Sequence, residues 1–283
     1  MRVRRVLSRL VVFLLVLGGL WAFWEGYKWL WERTGWTRPF QVSDVTMPHL
    51  HEIVGQLGEP TSTGDDLWLY LLHASLFTAR AAAVGFLFGA LVGFALGVAL
   101  SQFQVLRRGI MPYVVASQTI PILALAPIVV RGLGSVSIGD SPPPDWVRVA
   151  VIAAYLTFFP VTVNTLRGLQ SVDPRALELM HSYAAGGWTV LSKLRIPAAL
   201  PYIFTALKIA ATASVVGAII GEESASIADG LGGAIINFNQ YYVLEPSNLW
   251  ATNVYAAFLG IAFFLAVLLA EKLIVRRAPE RLV

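Results

Sequence analysis

The sequence predicts an all-α membrane protein, a polytopic bundle of six transmembrane helices with a short helix on the cytoplasmic side. The 283 residues are 57% hydrophobic and only 13% charged, whereas a soluble domain carries about 25% charged residues. Too little polar surface remains for a soluble enzyme, a disordered chain or a coiled coil. The chain has no cysteine, which excludes disulfide scaffolds, thiolate zinc sites, iron–sulfur clusters and cysteine nucleophiles.

Six apolar stretches are long enough to cross about 30 Å of hydrocarbon, for which a helix needs about 20 residues. They are residues 10–31, 72–100, 111–130, 146–166, 201–221 and 249–274. The first could be taken for a signal peptide. We expect it to be a retained anchor, because the run is long and aromatic and no small-residue cleavage site follows it.

These spans predict three parts of the chain. Residues 1–32 form an N-terminal tail and the first span, and residues 33–66 form an extracytoplasmic segment with a short helix around residues 48–57. Residues 67–283 form a five-helix core with a cytoplasmic loop at residues 167–200.

Charge predicts the orientation of the bundle. With the N-terminus inside, fourteen of the 21 basic residues fall on cytoplasmic segments and four on outer segments. The inner ones are Arg2, Arg4, Arg5, Arg9, Arg107, Arg108, Arg167, Arg175, Lys193, Arg195, Lys272, Arg276, Arg277 and Arg281, and the outer ones are Arg33, Arg38, Arg131 and Arg148. This positive-inside bias predicts a multi-pass membrane protein with both termini cytoplasmic.

A stripe of small residues marks the second span. Gly85, Gly89, Gly93 and Gly97 recur every four residues and therefore fall near one helix face. Helices in lipid approach closely where small residues line the contact. We expect packing within this bundle, and a contact with another subunit is the alternative.

Prolines interrupt the third span at Pro112, Pro121 and Pro127. We expect a kinked helix, because proline removes a backbone donor. Broken helices at membrane depth line a cavity or are buried in protein. Gln118 and Thr119 are accordingly candidates for the lining of a translocation path. Alternatively, they satisfy carbonyls that Pro121 leaves free.

The loop between spans four and five is about thirty residues long and contains start and stop signals for two short helices. Asp173 can cap the first, and Pro174 fits its first position. Gly186 and Gly187 are expected to end it. We expect a second short helix to end at residues 196–197. An apolar side is formed by Ala176, Leu177, Met180, Tyr183 and Ala184, and a loop of this kind predicts a docking partner.

This loop resembles the EAA loop of ABC importer permeases. The match consists of Glu178-Leu179-Met180-x-x-x-Ala184, nine residues, and then Leu194-x-Ile196-Pro197. Leu179 and Met180 replace alanines of the family pattern, and Ala184 replaces its glycine. Residues 118–127, 196–210, 221–222 and 230–233 are similar to the subgroup that carries nitrate, sulfonates, taurine, thiamine-precursor pyrimidines and riboflavin.

The resemblance implies a type I importer permease of the inner cell membrane that carries a small solute such as a vitamin or vitamin precursor, or a sulfonate- or nitrate-type anion. It implies a second permease copy or paralogue, a pair of ATP-binding subunits and an external substrate-binding protein, with lipid around the bundle and no nucleic acid. It makes residues 173–187 a coupling helix. The implied ATPase-coupling residues are Asp173, Pro174, Ala176, Leu177, Glu178, Met180, Tyr183, Ala184, Gly186, Gly187, Ile196 and Pro197.

The ATPase itself is not expected in this chain. A phosphate-binding Walker loop needs Gly-Lys-Ser/Thr, and no lysine here follows a glycine. We therefore expect no cofactor on this chain, no catalytic residues, and ATP with Mg²⁺ on the partner subunit.

Polar residues of span five are candidates for pore lining. These are Thr205, Lys208, Thr212 and Glu222. Lys208 is expected to reach toward the cytoplasmic surface, and Glu222 is expected with Glu223 at the outer end of the span.

Three other classes of protein compete with this interpretation. A membrane enzyme could use His49, His51 and Glu52 as a metal site, but such a short cluster is more often plain surface, and we predict no metal. An ion-coupled secondary transporter would show inverted repeats and a mid-span acid. A purely structural subunit would not need the docking loop.

Overall fold

The computed structural model describes residues 2–35, 42–61, 64–136 and 141–275. This part of the chain is helical, as predicted. The helices are α1 (Arg2–Thr34), α2 (Leu50–Gln56), α3 (Leu67–Gln102), α4 (Gln104–Ser117), α5 (Ile122–Gly134), α6 (Asp145–Gln170), α7 (Pro174–Ser182), α8 (Gly187–Val190), α9 (Ile196–Ala225), α10 (Leu231–Gln240) and α11 (Pro246–Ile274).

Five helices among the described residues are long and apolar enough to cross a membrane, and a sixth crossing results if α4 and α5 form one span. Some of the basic residues behind the orientation prediction belong to other parts of the chain. Arg38, Arg276, Arg277 and Arg281 lie outside the described residues, and so do the side chains of Arg2, Arg4, Arg5 and Arg9.

The chain divides into two compact units. The N-terminal unit contains Met1–Trp68 and Phe238–Ala251, and the core unit contains Leu69–Asn237 and Thr252–Val283. The sequence placed residues 238–251 in the core, whereas their contacts group them with the N-terminal unit.

Aromatic side chains hold the N-terminal unit together. The Trp24 indole Nε1 donates to the Pro48 carbonyl at 3.1 Å and packs edge-on against Trp250 at 5.4 Å between ring centroids. Tyr242 donates its hydroxyl to the Val45 carbonyl. The predicted short helix of the outer segment is α2, which begins after Pro48 and His49.

The core unit is built on α6 and α9, which pack together over most of their length. Its largest buried cluster takes Ala81 from α3, Val130 from α5, Ile152 from α6 and Val215 from α9. Half of the cluster is alanine, and small side chains let helix backbones approach closely.

The glycine stripe of α3 lies against α6. A Cβ at Gly85 would stand 2.5 Å from the Ala150 carbonyl oxygen, and one at Gly93 would stand 2.5 Å from the Phe158 carbonyl oxygen. Gly89 and Gly97 meet α6 in the same way. The stripe therefore faces a helix of the same chain.

The third predicted span is not one kinked helix. It is two helices, α4 and α5, whose axes differ by 96° across residues 118–121. Pro121 has φ −60° and ψ 117°, which is extended rather than helical backbone, and it has no N–H to donate. The prediction of a single span at residues 111–130 underestimated this break, because a proline's local effect does not fix the angle between the helices that it separates.

The second short helix of the loop does not end at Pro197. Residues 187–225 form one helical span of 39 residues, widened at a π turn over Leu191–Arg195. A proline clashes with the carbonyl four residues before it in a regular helix, and for Pro197 that carbonyl lies inside the π turn. The wider turn therefore lets the helix continue, and the prediction of an end at residues 196–197 was wrong.

Candidate functional site

The start of α7 follows from local chemistry. Asp173 Oδ1 accepts a hydrogen bond from the Arg175 backbone N–H at 2.9 Å, and Pro174 occupies the first turn. The cap satisfies one N–H that the helix cannot satisfy itself. The predicted helix start is therefore present at Asp173.

The end of α7 comes earlier than the glycine pair predicted. The helix ends at Ser182, and Ala184 has a left-handed φ of 49°. Ala184 N–H donates to the His181 carbonyl at 2.9 Å and Ala185 N–H to the Met180 carbonyl at 3.0 Å. These two bonds and the left-handed residue form a Schellman motif.

Ala184 is the residue that replaces the glycine of the family pattern. The left-handed conformation disfavours a Cβ and suits glycine. The tight turn is therefore kept in this chain despite the alanine. Gly186 does not stop the helix, since it is extended backbone that precedes α8.

The residues of α7 are exposed or half-buried. No residue of α7, all of which is described, is buried. Tyr183 and Trp188, which flank the turn after α7, are each 77% exposed, and Leu179 is 57% exposed. Glu178 is also exposed, while Ala176, Leu177 and Met180 are half-buried. Large exposed apolar side chains in one place mark an interaction surface.

The chain after α7 is anchored in the core unit. Leu191 is buried against Leu169 of α6 and against Ala199 and Ile203 of α9. Beside Trp188, a groove of about 490 Å³ is lined on its other side by Val98 and Phe103. The helical span that contains α9 begins at Gly187, five residues after α7 ends, and its first turns are fixed in the core unit.

Gln118 and Thr119 lie at the break between α4 and α5. Thr119 Oγ1 donates to the Ala116 carbonyl at 2.7 Å, and Gln118 Nε2 donates to Ser117 Oγ at 3.3 Å. Tyr155 of α6 donates its hydroxyl to the Ser117 carbonyl. The Thr119 hydroxyl therefore satisfies a backbone carbonyl at the end of α4. The Thr119 side chain is nevertheless exposed.

The candidate pore stripe on α9 carries side chains that bond other groups of the chain. Thr205 Oγ1 and Thr212 Oγ1 bond carbonyls of their own helix, those of Pro201 and Ile209. Lys208 Nζ lies 2.9 Å from Glu271 Oε2 in the last turn of α11, so the two side chains form an ion pair.

Glu222 does not share that stripe. It follows Thr212 by ten residues, which places it about 80° around a helix that turns about 100° per residue. Its side chain lies near the end of α9, which ends at Ala225, and it is fully buried inside the protein.

The buried Glu222 belongs to a polar cluster that the sequence did not reveal. Glu222 Oε2 accepts from Thr78 Oγ1 at 3.0 Å and from the Gly232 N–H at 2.8 Å. Thr78 Oγ1 in turn accepts from the Leu231 N–H at 2.9 Å. The side chains of Thr78 on α3 and Glu222 on α9 therefore cap the start of α10. The one available signal was the Gly230–Gly233 run, since small residues let a carboxylate approach the backbone.

The chain was compared with known protein families and proteins. Residues 85–278 match the family described as binding-protein-dependent transport system inner membrane component. The formylaminopyrimidine transport permease protein ThiX of Halalkalibacterium halodurans is 36% identical over 140 residues, which are 50% of this chain and 52% of that protein. The riboflavin transport system permease protein RibX of Chloroflexus aurantiacus is 28% identical over 172 residues, 60% of this chain and 59% of that protein.

The match thus spans only a little over half the length of these two relatives. Among solved structures, a chain of an amino acid ABC transporter with histidines superimposes with a TM-score of 0.56 at 18% identity, covering 75% of this chain and 95% of that one. This similarity supports the fold: an all-α membrane bundle.

Proposed function

Because this chain belongs to the family of binding-protein-dependent transport system inner membrane components, as its loop at residues 167–200 predicted, we propose that it is the permease subunit of an ATP-driven importer. The observation that carries the proposal is α7, a capped and exposed helix joined to a membrane span. The chain itself is a multi-pass membrane protein.

In this proposal α7 receives the movement of an ATPase. Leu179, Tyr183 and Trp188 are exposed apolar side chains, which suit insertion into a groove of a partner. Closure of two ATPase subunits around ATP would displace α7 as a rigid body. The helical span from Gly187 to Ala225 would carry that displacement into the membrane.

The energy source lies on the partner. The chain has no Gly-Lys pair that could form a Walker loop, so ATP and Mg²⁺ would bind the ATPase pair. We further propose a second permease copy or paralogue across the pore, a substrate-binding protein outside, and cytoplasmic termini. The positive-inside charge distribution supports that orientation.

The proposed solute is a small vitamin-type heterocycle, such as a thiamine-precursor pyrimidine or riboflavin. The names of the two relatives support this class. Sulfonate- or nitrate-type anions are the second class. Binding of each class to the cognate external protein distinguishes them, since that protein selects the solute in such systems.

Reconstitution tests the proposal. The chain is placed in proteoliposomes with its ATPase and binding protein, and solute uptake is measured with ATP and with vanadate. We expect uptake that requires ATP and stops with vanadate, and we expect Glu178→Ala to lower it strongly while the chain remains inserted.

The matched control is Glu59→Ala, which also removes an exposed glutamate but lies in the N-terminal unit. It should leave uptake unchanged. Equal uptake by wild type and Glu178→Ala would contradict the coupling role. Uptake driven by an ion gradient without ATP would favour a secondary transporter instead.

A further inference from the structure

Carboxylate and imidazole side chains converge in the N-terminal unit, where the sequence predicted plain surface. Glu25 comes from α1, whereas His49 and His51 stand at the start of α2. His49 Nδ1 lies 2.6 Å from Glu25 Oε2, and one ligand atom from each of the three side chains lies within 4.8 Å of the others. We propose that Glu25, His49 and His51 bind a divalent transition-metal ion of the Zn²⁺ class.

The donor set favours this class of ion. Imidazole nitrogen and carboxylate oxygen bind Zn²⁺ at about 2.0–2.2 Å, and imidazole suits Zn²⁺, Cu²⁺ and Ni²⁺ better than Mg²⁺ or Ca²⁺. Three protein ligands leave a fourth position for water. His51 is exposed and Glu25 and His49 are half-buried, so an ion can enter from solvent.

The surrounding contacts orient the ligands. The Leu50 N–H donates to Glu25 Oε1 at 2.9 Å, which leaves Oε2 directed at His49. The backbone N–H of His49 donates to Glu52 Oε2 at 3.1 Å. The other ring nitrogen of His49, Nε2, lies 3.6 Å from Glu32 Oε1. A metal-bound histidine commonly directs its second ring nitrogen at a carboxylate, and Glu32 occupies that position.

A second group of possible ligands is less suited to a metal. Glu32 and Asp44 also lie near His49, but the buried Lys28 ammonium lies 2.7 Å from Asp44 Oδ1 and 3.8 Å from Glu32 Oε1. The hydrogen bond and charge of Lys28 lower the pKa of Asp44. The ammonium is already the cation of this group, so the metal belongs on the Glu25 side of His49.

The experiment is a metal titration of the purified full chain in lipid nanodiscs, first freed of metal with a chelator. We expect one Co²⁺ per chain with visible d–d absorption, and displacement of Co²⁺ by Zn²⁺. His51→Ala and Glu25→Gln should each weaken binding by more than about 10-fold, and Glu32→Gln by about 10-fold as a ligand-orienting change. His73→Ala is the matched control, an exposed histidine of the core unit, and should bind like wild type.

Several results would overturn the proposal. Absence of Co²⁺ binding, or equal binding by wild type and His51→Ala, excludes the site; His51 is exposed, so this variant tests it without a folding defect. Tighter binding of Mg²⁺ or Ca²⁺ excludes the transition-metal class. NMR that finds both His49 ring nitrogens protonated in the presence of Zn²⁺ shows an imidazolium between the Glu25 and Glu32 carboxylates in place of a metal ligand, and excludes the site.

Discussion

The short helices α7 and α10 satisfy their first N–H groups in different ways. α7 is capped by Asp173, whose carboxylate accepts a hydrogen bond from the backbone N–H of Arg175, two residues later. α10 is capped by Thr78 and Glu222, and Thr78 stands 153 residues before Leu231. α7 carries no buried residue among those described, whereas Leu231 is fully buried. The start of α7 is therefore stabilised by a neighbouring residue in the chain, while the start of α10 forms only with the core.

Glycine substitutions should produce the largest difference in stability between α10 and α7. A Cβ at Gly232 of α10 would stand 2.4 Å from the Ile219 backbone oxygen, whereas one at Gly186 beside α7 would meet no described atom within 4 Å. Gly232→Ala should destabilise the chain by about 1–3 kcal/mol or more, and Gly186→Ala should not. Thermal unfolding in detergent measures both, and equal melting temperatures would contradict the tertiary account of α10.

Removing the Thr78 hydroxyl should have the next largest effect. Thr78→Val keeps the shape but leaves the buried Leu231 N–H without its acceptor, at a cost of about 1–3 kcal/mol. Hydrogen exchange of the amides at residues 231–234 should accelerate. Thr78→Ser keeps the hydroxyl and should restore most of the protection; failure of that rescue would show that the methyl contact matters instead.

Removing the α7 cap should have a smaller and local effect. Asp173→Ala should destabilise α7 by about 1 kcal/mol and accelerate hydrogen exchange over residues 174–182, with the melting temperature of the core unchanged. Asp173→Asn keeps a capping oxygen and serves as the control. A fall in the core melting temperature would mean that α7 is not independent.

The smallest expected effect concerns the turn after α7. Ala184→Gly should stabilise this turn by about 0.5 kcal/mol, because glycine adopts φ 49° without the Cβ penalty. Slower exchange of the Ala185 amide, which bonds the Met180 carbonyl, is the measurement. Ala185→Gly should have the opposite sign, and stabilisation by both would refute the assignment to the left-handed residue.

Much of the fold could be predicted because its signals are local. Apolar length gave α1, α3, α6, α9 and α11, and Asp173 with Pro174 gave the start of α7. At Pro121 the sequence predicted a kink where the chain forms two separate helices, and at Pro197 it predicted a helix end where the helix continues. Whether a proline bends, breaks or is accommodated depends on the helices packed around it, which a local pattern does not contain.

The sequence by itself determined the membrane class, the family and the surface of α7, because hydropathy, capping chemistry and motif spacing act between residues close in the chain. Only the tertiary structure decided the burial of Glu222 against Thr78, the pairing of Lys208 with Glu271, and the meeting of Glu25 with His49. These pairs are separated by 144, 63 and 24 residues. Such contacts depend on where whole helices pack, and helix packing in lipid is set by the fit of many small side chains along each helix.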